Sequence, residues 1–420
     1  MMPSTRDPAV RRAASRLIGG LTLTKIGDRF IDPKTVLPWF LEVVGTPLGF
    51  VGLLVPIRES GSLLPQAAIS PWVAAHQRRT RVWVLGAVGQ AIAAGGMAAV
   101  AVTLTGRTAG VAIVALLAIF ALARSLCSLS IKDVMGRTIP AGLRGRVTGW
   151  SDSASGLVAL TIGIGLAQVQ GASTTVFLWL FLGGAAVWLV AAVVVVGIRE
   201  PEVTEEDRNP TSVRGSMALL RSDTDFRHFV LARTLLLASA LTPPFVVALA
   251  VQETGDDIAG LGPFVVAAGL ASLIGGRAWG HFADRSSRTV MAVAAGSAAM
   301  VVAAVVAVYL VGASPLWPWV GLYFLLMLIH TGARVGRSTY VVELGDRGAR
   351  TSYVAVSNTV MGVLLLVVGT VTSALAALST VAALVVLALI GAVGTPIALR
   401  LPETAAGSPG PAATTSETTA

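Results

Sequence analysis

The sequence predicts an all-α membrane protein with twelve transmembrane helices in two pseudo-symmetric six-helix bundles. Three observations predict it. Of 420 residues, 54% are hydrophobic and only 13% are charged, about half the charged share of a soluble domain of this size. Apolar runs of roughly 20 residues, the length needed to cross a bilayer's hydrocarbon core, recur along the chain. Side-chain landmarks also return at a spacing close to half its length.

Apolar runs punctuated by Gly, Pro and charge place helices near 16–42, 47–70, 82–104, 108–131, 147–169 and 173–198. A second set falls near 228–251, 258–282, 289–311, 316–337, 352–376 and 380–399. The expected units are a cytoplasmic N-terminus 1–15, an N-terminal bundle 16–198, a linker 199–227, a C-terminal bundle 228–399 and a tail 400–420. The linker is the only long polar interior stretch, with Glu202, Glu205, Glu206, Asp207 and Arg208. The tail, rich in Ala, Gly, Pro, Ser and Thr, is expected to be disordered.

Loop charge predicts orientation through the positive-inside rule. Alternate loops hold Arg78, Arg79, Arg81; Lys132, Arg137, Arg144, Arg146; Arg285, Arg288; Arg334, Arg337, Arg347, Arg350; and Arg400, whereas the opposite loops hold Arg107 beside Glu253, Asp256 and Asp257. Both termini are therefore expected in the cytoplasm, with the chain in a bacterial inner membrane. Arg6, Arg11, Arg12 and Arg16 resemble a signal n-region, but no small-residue cleavage site follows, so the segment reads as retained.

Several function classes fall away. The formal charge of +9 would suit nucleic acid only as a patch on a folded soluble domain, and no segment is long enough to form one. The single cysteine, Cys127, and four histidines without ligand spacing offer no disulfide framework, metal or cofactor site. No Walker motif marks direct use of ATP. No nucleophile, acid–base or metal constellation marks an enzyme, which leaves a non-transport membrane enzyme or a lipid scramblase as the remoter alternative to a transporter. A lone Gly45-x-x-x-Gly49 is too weak to indicate a dimer, so a monomer is expected.

The repeat is carried by constant offsets. Trp72, Arg78 and Arg81 recur 207 residues later as Trp279, Arg285 and Arg288; Arg144, Ser151, Asp152 and Gly156 recur 206 residues later as Arg350, Ser357, Asn358 and Gly362. Pro38 likewise meets Pro244. Parallel repeats of six-helix halves put a substrate path between the halves, near the midplane.

Gly280-His281-Phe282-Ala283-Asp284-Arg285-Ser286-Ser287-Arg288 resembles the loop signature of the major facilitator superfamily, with Ser287 where that family has glycine. The first-half copy keeps Arg78 and Arg81 but has Gln77 at the position of Asp284. The resemblance implies that Gly280, Asp284, Arg285, Arg288, Arg78 and Arg81 form cytoplasmic gating loops. Gly27-Asp28, Leu37-Pro38-Trp39, Gly45-Thr46-Pro47-Leu48 and Arg58 further resemble the start of drug-efflux-type members. The Gly-Pro antiporter signature is absent from Thr148 to Gln168.

Charges inside the predicted helices are the candidate functional groups, because each costs at least about 2.5–3.5 kcal/mol at the bilayer centre unless paired or wet. Glu59 lies halfway along helix 2, with Ser62 and Gln66 following on one face. It is expected to face the cavity and exchange a proton, or else to form a fixed pair with Arg124 or Arg233. Arg58 points about 100° away, toward another helix. Asp28 sits between Lys25 and Arg29, where local pairing could neutralise it, or it takes part in coupling. Asp152 on helix 5 and its repeat partner Asn358 on helix 11 pair an acid with an amide, so only the acid would titrate. Arg124 and Arg233 read as substrate contacts or counter-ions. Asp32, Lys34 and Glu42 fall toward the outer end of helix 1, where solvation suffices. Trp39, Phe40, Phe50, Phe245 and Phe264 could line an apolar pocket, though packing accounts for most aromatics.

Together these features predict a secondary transporter that moves a small organic or amphipathic solute by alternating access, as proton-coupled export. Its expected partners are the solute, protons and the lipid bilayer. An importer or uniporter of the same fold is the alternative.

Overall fold

The computed structural model describes residues 8–139, 141–169, 173–198, 200, 220, 223–255, 257–283, 285–312, 315–344 and 350–402. Every regular element among them is helical: α1 (Pro8–Phe30), α2 (Val36–Val43), α3 (Leu48–Leu63), α4 (Pro65–Ala75), α5 (Arg79–Thr103), α6 (Gly106–Thr138), α7 (Ala141–Leu166) and α8 (Thr174–Val196). After the linker come α9 (Thr224–Leu235), α10 (Ala238–Leu241), α11 (Pro243–Thr254), α12 (Ile258–Ala283), α13 (Ser287–Leu310), α14 (Leu316–Leu344), α15 (Arg350–Leu378) and α16 (Thr380–Leu399).

Nine stretches among the described residues are long and apolar enough to cross a bilayer: α5, α6, α8, the α9–α11 run and α12 through α16. The other three expected positions are helical but interrupted or charged. Helix 1 is not one long element. Asp32-Pro33 breaks it, because the residue before proline avoids the helical region and the Asp32 carboxylate accepts the Lys34 amide at 2.7 Å. Pro65, which lacks an amide to continue the helix, divides α3 from α4 while Leu64 keeps helical angles, and the apolar stretch of α7 is the shorter Ala154–Leu166. Helix 7 breaks twice before Pro243-Pro244, which lack the amide that would continue α10. Elsewhere serine and aspartate set the starts: Ser173, Asp223, Ser286 and Ser379 each accept a backbone amide of the first turn, satisfying donors a helix cannot pair internally.

Helix 1 starts at Pro8 and the second bundle at Thr224, both earlier than expected, because polar residues of the first turns remain helical. Most of the linker and the tail beyond Pro402 lie outside the described residues.

The repeat appears as repeated packing. In the first half α5 packs on α6 and α8, α3 on α6, and α1 on α7 and α8; in the second α13 packs on α14 and α16, α12 on α14, and α9 on α15 and α16. Side chains such as Ile92, Trp179, Val193 and Met300 stay more than two-thirds exposed on the outer surface, as lipid-facing residues must.

The halves meet along α3–α15 and α7–α12, with α2 against α11 at one end. Glycine permits the closest approaches. A Cβ on Gly262 of α12 would lie 2.5 Å from the Gly163 carbonyl oxygen and the Ala167 nitrogen of α7, and one on Gly369 of α15 would overlap Pro56 of α3. At the end remote from the arginine-rich loops, Trp39 packs on Phe264 with centroids 5.8 Å apart, Phe264 on Tyr323 at 5.1 Å, and Gln252 donates to Glu42 at 3.2 Å. Ser373 also donates to the Gly49 carbonyl there. Trp39, Phe40, Phe245 and Phe264 are fully buried, so they close this end and do not line an open pocket.

Candidate functional site

The charges singled out in the sequence converge where the broken helix 1 meets α3, α6 and α14. Asp28, near the end of α1, receives Arg58 of α3 at 2.9 Å and Arg124 of α6 at 2.6 Å, both on Oδ1. Its carboxylate is thus held by two arginines from other helices, partners that the local reading with Lys25 and Arg29 did not include. Arg29 instead donates to Ser272 of α12 at 3.1 Å, across the interface between halves. Arg58 is 10% exposed, Asp28 17% and Arg124 21%. At that burial neither arginine could remain without a counter-charge at modest cost.

Glu59 takes neither partner expected for a fixed pair. Its carboxylate approaches Arg58 at 3.6 Å and keeps 37% of its side chain accessible, so it faces an opening. Lys34, Arg124 and Arg337 are within electrostatic range of it. Of the stripe read on α3, Ser62 is buried and bonds back to the Glu59 carbonyl at 2.8 Å, and Gln66 bonds back to the Ser62 carbonyl at 2.6 Å. Of the three, Glu59 is the charged group, and it remains partly accessible beside Arg58.

The second half contributes Arg233 of α9, 8% exposed. Its terminal nitrogens donate to Ser357 Oγ at 2.7 Å and Asn358 Oδ1 at 2.9 Å on α15. Arg233 and Asn358 are thus brought together as neighbours, while the side chain of Asp152 and the whole of Asp284 lie outside the described residues.

Four participants escaped the sequence reading. Lys34 was expected to reach outer solvent, but the break in helix 1 turns it inward, where its ammonium meets His330 Nε2 of α14 at 2.8 Å. His330 Nδ1 in turn lies 3.2 Å from Ser239 Oγ. His330 stands 206 residues after Arg124, so the repeat offset would have found it. Arg337, assigned to a loop edge, is inside α14 because that helix runs on to Leu344; with His330 and Arg334 it forms a stripe at i, i+4 and i+7. Tyr323, whose hydroxyl is 2.6 Å from Thr35 Oγ1, fixes the helix break against α14.

At the arginine-rich end, Arg78, Arg81 and Arg285 are exposed and Gly280 is half-buried. Arg288 donates to the Leu401 carbonyl at 3.1 Å. The buried loop arginine is Arg79, 2% exposed, which donates to Asp133 of α6 at 2.7 Å. Asp133 also pairs with Arg137 one turn on. In the first half, then, an acid from α6 meets the loop arginine where Gln77 cannot.

Two helical halves related by a repeat, a broken first helix in each and buried charges where they meet are the arrangement of transporters built from parallel repeats. The Major Facilitator Superfamily family model matches residues 30–370. The chain belongs to the major facilitator superfamily. This facilitator is a membrane transport protein of small solutes, not an enzyme. It resembles the D-xylose–proton symporter at 13% identity and TM-score 0.73, over 94% of this chain and 99% of that one. It also resembles the nucleoside transporter NupG, at 12% identity and TM-score 0.69, over 93% and 98%. A bacterial homologue of the human lysosomal transporter Spinster, inward-facing and unoccupied, matches at 12% identity and TM-score 0.65, over 94% and 97%. At such identities the likeness is one of fold. No curated protein sequence matches the chain significantly.

Proposed function

We propose that this facilitator exports a small organic solute by alternating access, coupled to proton entry through Glu59, from a bacterial cytoplasmic membrane with both termini inside. The observation that carries the coupling is the position of Glu59. It is an accessible carboxylate on α3 that faces Lys34 of the helix 1 break, Arg124 of α6 and Arg337 of α14, and so draws cations from both halves. Protonation removes that attraction and changes how strongly the halves hold each other on one side; a ligand or proton shifts an equilibrium by its differential affinity for the two states. Asp28, shared by Arg58 and Arg124, serves as the fixed counter-charge. The arginine-rich loops support the orientation, and the helix 1 and 2 motifs support export.

The test is transport in liposomes under an imposed pH gradient with pooled organic solutes. Glu59→Gln is expected to cut gradient-driven movement about 5–150-fold, the span of a coupling energy of 1–3 kcal/mol, while counterflow without a gradient persists. Gradient-driven movement equal in wild type and Glu59→Gln would remove Glu59 from the coupling path. Movement up the gradient in the import direction would replace export by symport.

A further inference from the structure

The two halves do not share the charge within the helical bundle evenly. In the second half no aspartate or glutamate occurs in 226–252, 258–283, 287–342 or 350–400, yet Arg233, Arg334, Arg337 and His330 lie there. Arg233 is the most telling of these. It is buried, its two terminal nitrogens are met only by a neutral hydroxyl and a neutral amide, and its Nε has no hydrogen-bond partner. No carboxylate among the described residues lies within ion-pair distance of it, and the described charge whose field acts on it is another cation, Arg337.

A buried guanidinium without a counter-charge is costly and is normally paired. Among the described residues, the acids near these cations all come from the first half and are already engaged. Asp28 is shared by Arg58 and Arg124, Asp32 accepts from the Lys34 amide, and Glu59 faces Arg58, Lys34, Arg124 and Arg337. Among the described residues the network thus holds more cations than acids, and Arg233, in the second half, is the cation left without one. An arginine fork with an unused N–H is suited to a planar or tetrahedral oxyanion.

We propose that the solute is an organic anion, its carboxylate or phosphate held by Arg233 with Arg337 close by and its organic body toward the first half. This deepens the transport reading and rests on it. Binding would complete the charge balance that the protein alone lacks, so the loaded cavity is the more neutral one.

Binding to the purified full-length protein in neutral detergent tests it apart from transport, using benzoate and phenyl phosphate against the neutral benzamide and the cationic benzylamine. Wild type is expected to bind at least one of the two anions in preference to both other probes. Arg233→Gln should weaken that binding at least about tenfold, the loss of a charge-assisted hydrogen bond, and Arg233→Lys should restore part of it. Arg277→Gln, on the exposed face of α12, should leave it unchanged. Stronger binding of benzylamine or benzamide by wild type, or anion binding indifferent to both changes at Arg233, overturns the assignment. Displacement of the anions by phosphatidylglycerol in nanodiscs would also overturn it, identifying the oxyanion as a lipid headgroup. Anion binding with no gradient-driven transport would reject the coupling reading and leave this assignment standing.

Discussion

Asp28→Asn is expected to destabilise the protein by about 3–5 kcal/mol, the cost of removing one partner from a buried ion pair. The effect is large because one carboxylate oxygen serves two arginines. Arg58 at 2.9 Å and Arg124 at 2.6 Å would be left facing each other, with Glu59 and, for Arg58, the more distant Asp32 as the remaining described acids in range. An asparagine keeps the volume and one acceptor but not the charge, so the loss is electrostatic. The melting temperature in detergent should fall sharply, and adding Arg124→Gln to Asp28→Asn should recover a good part of it, since one stranded charge goes. Equal stability of wild type and Asp28→Asn would show that water in the cavity, not Asp28, compensates the two arginines.

Gly262→Val is expected to have a large effect on transport. The new Cβ would meet backbone atoms of Gly163 and Ala167 at 2.5 Å, and backbone cannot turn aside as a side chain can. Overpacking of this kind costs about 1–3 kcal/mol. It falls on the α7–α12 seam, at the end remote from the arginine-rich loops, so it penalises the state in which that end is closed. The equilibrium should move toward the opposite opening. In a protein bearing Gln66→Cys, on α4 near the arginine-rich end, labelling from that side should slow about 5–150-fold, in step with the same energy. Cys127 is buried and leaves the added thiol as the reporter. Unchanged labelling would mean that the seam yields without altering access.

The membrane fold was legible because lipid enforces a simple code: long apolar helices, arginine on one side and repeated landmarks. The candidate site was legible in its members more than in its pairings. Asp28, Arg58, Glu59, Arg124 and Arg233 stood out because a charge in an apolar run must be satisfied somehow. Who satisfies whom is decided by contacts 30 and 96 residues apart in the chain, and by a break whose effect depends on where the chain turns. Lys34 was misplaced for that reason, although Asp32-Pro33 carries the signal. Arg79 was missed through a shift of one residue: the repeat aligned Arg78 and Arg81 with the second loop, while the helix start turned the residue between them inward.

Glu200 accepts the amides of Arg79 and Thr80 at 3.0 and 2.7 Å, so the end of the first bundle is pinned to the start of its own α5. The tether to the second bundle therefore leaves from a fixed point and reaches Asp223, the cap of α9. The halves themselves touch along the α3–α15 and α7–α12 seams and where α2 meets α11, so any rocking of one against the other has to turn on those packed surfaces.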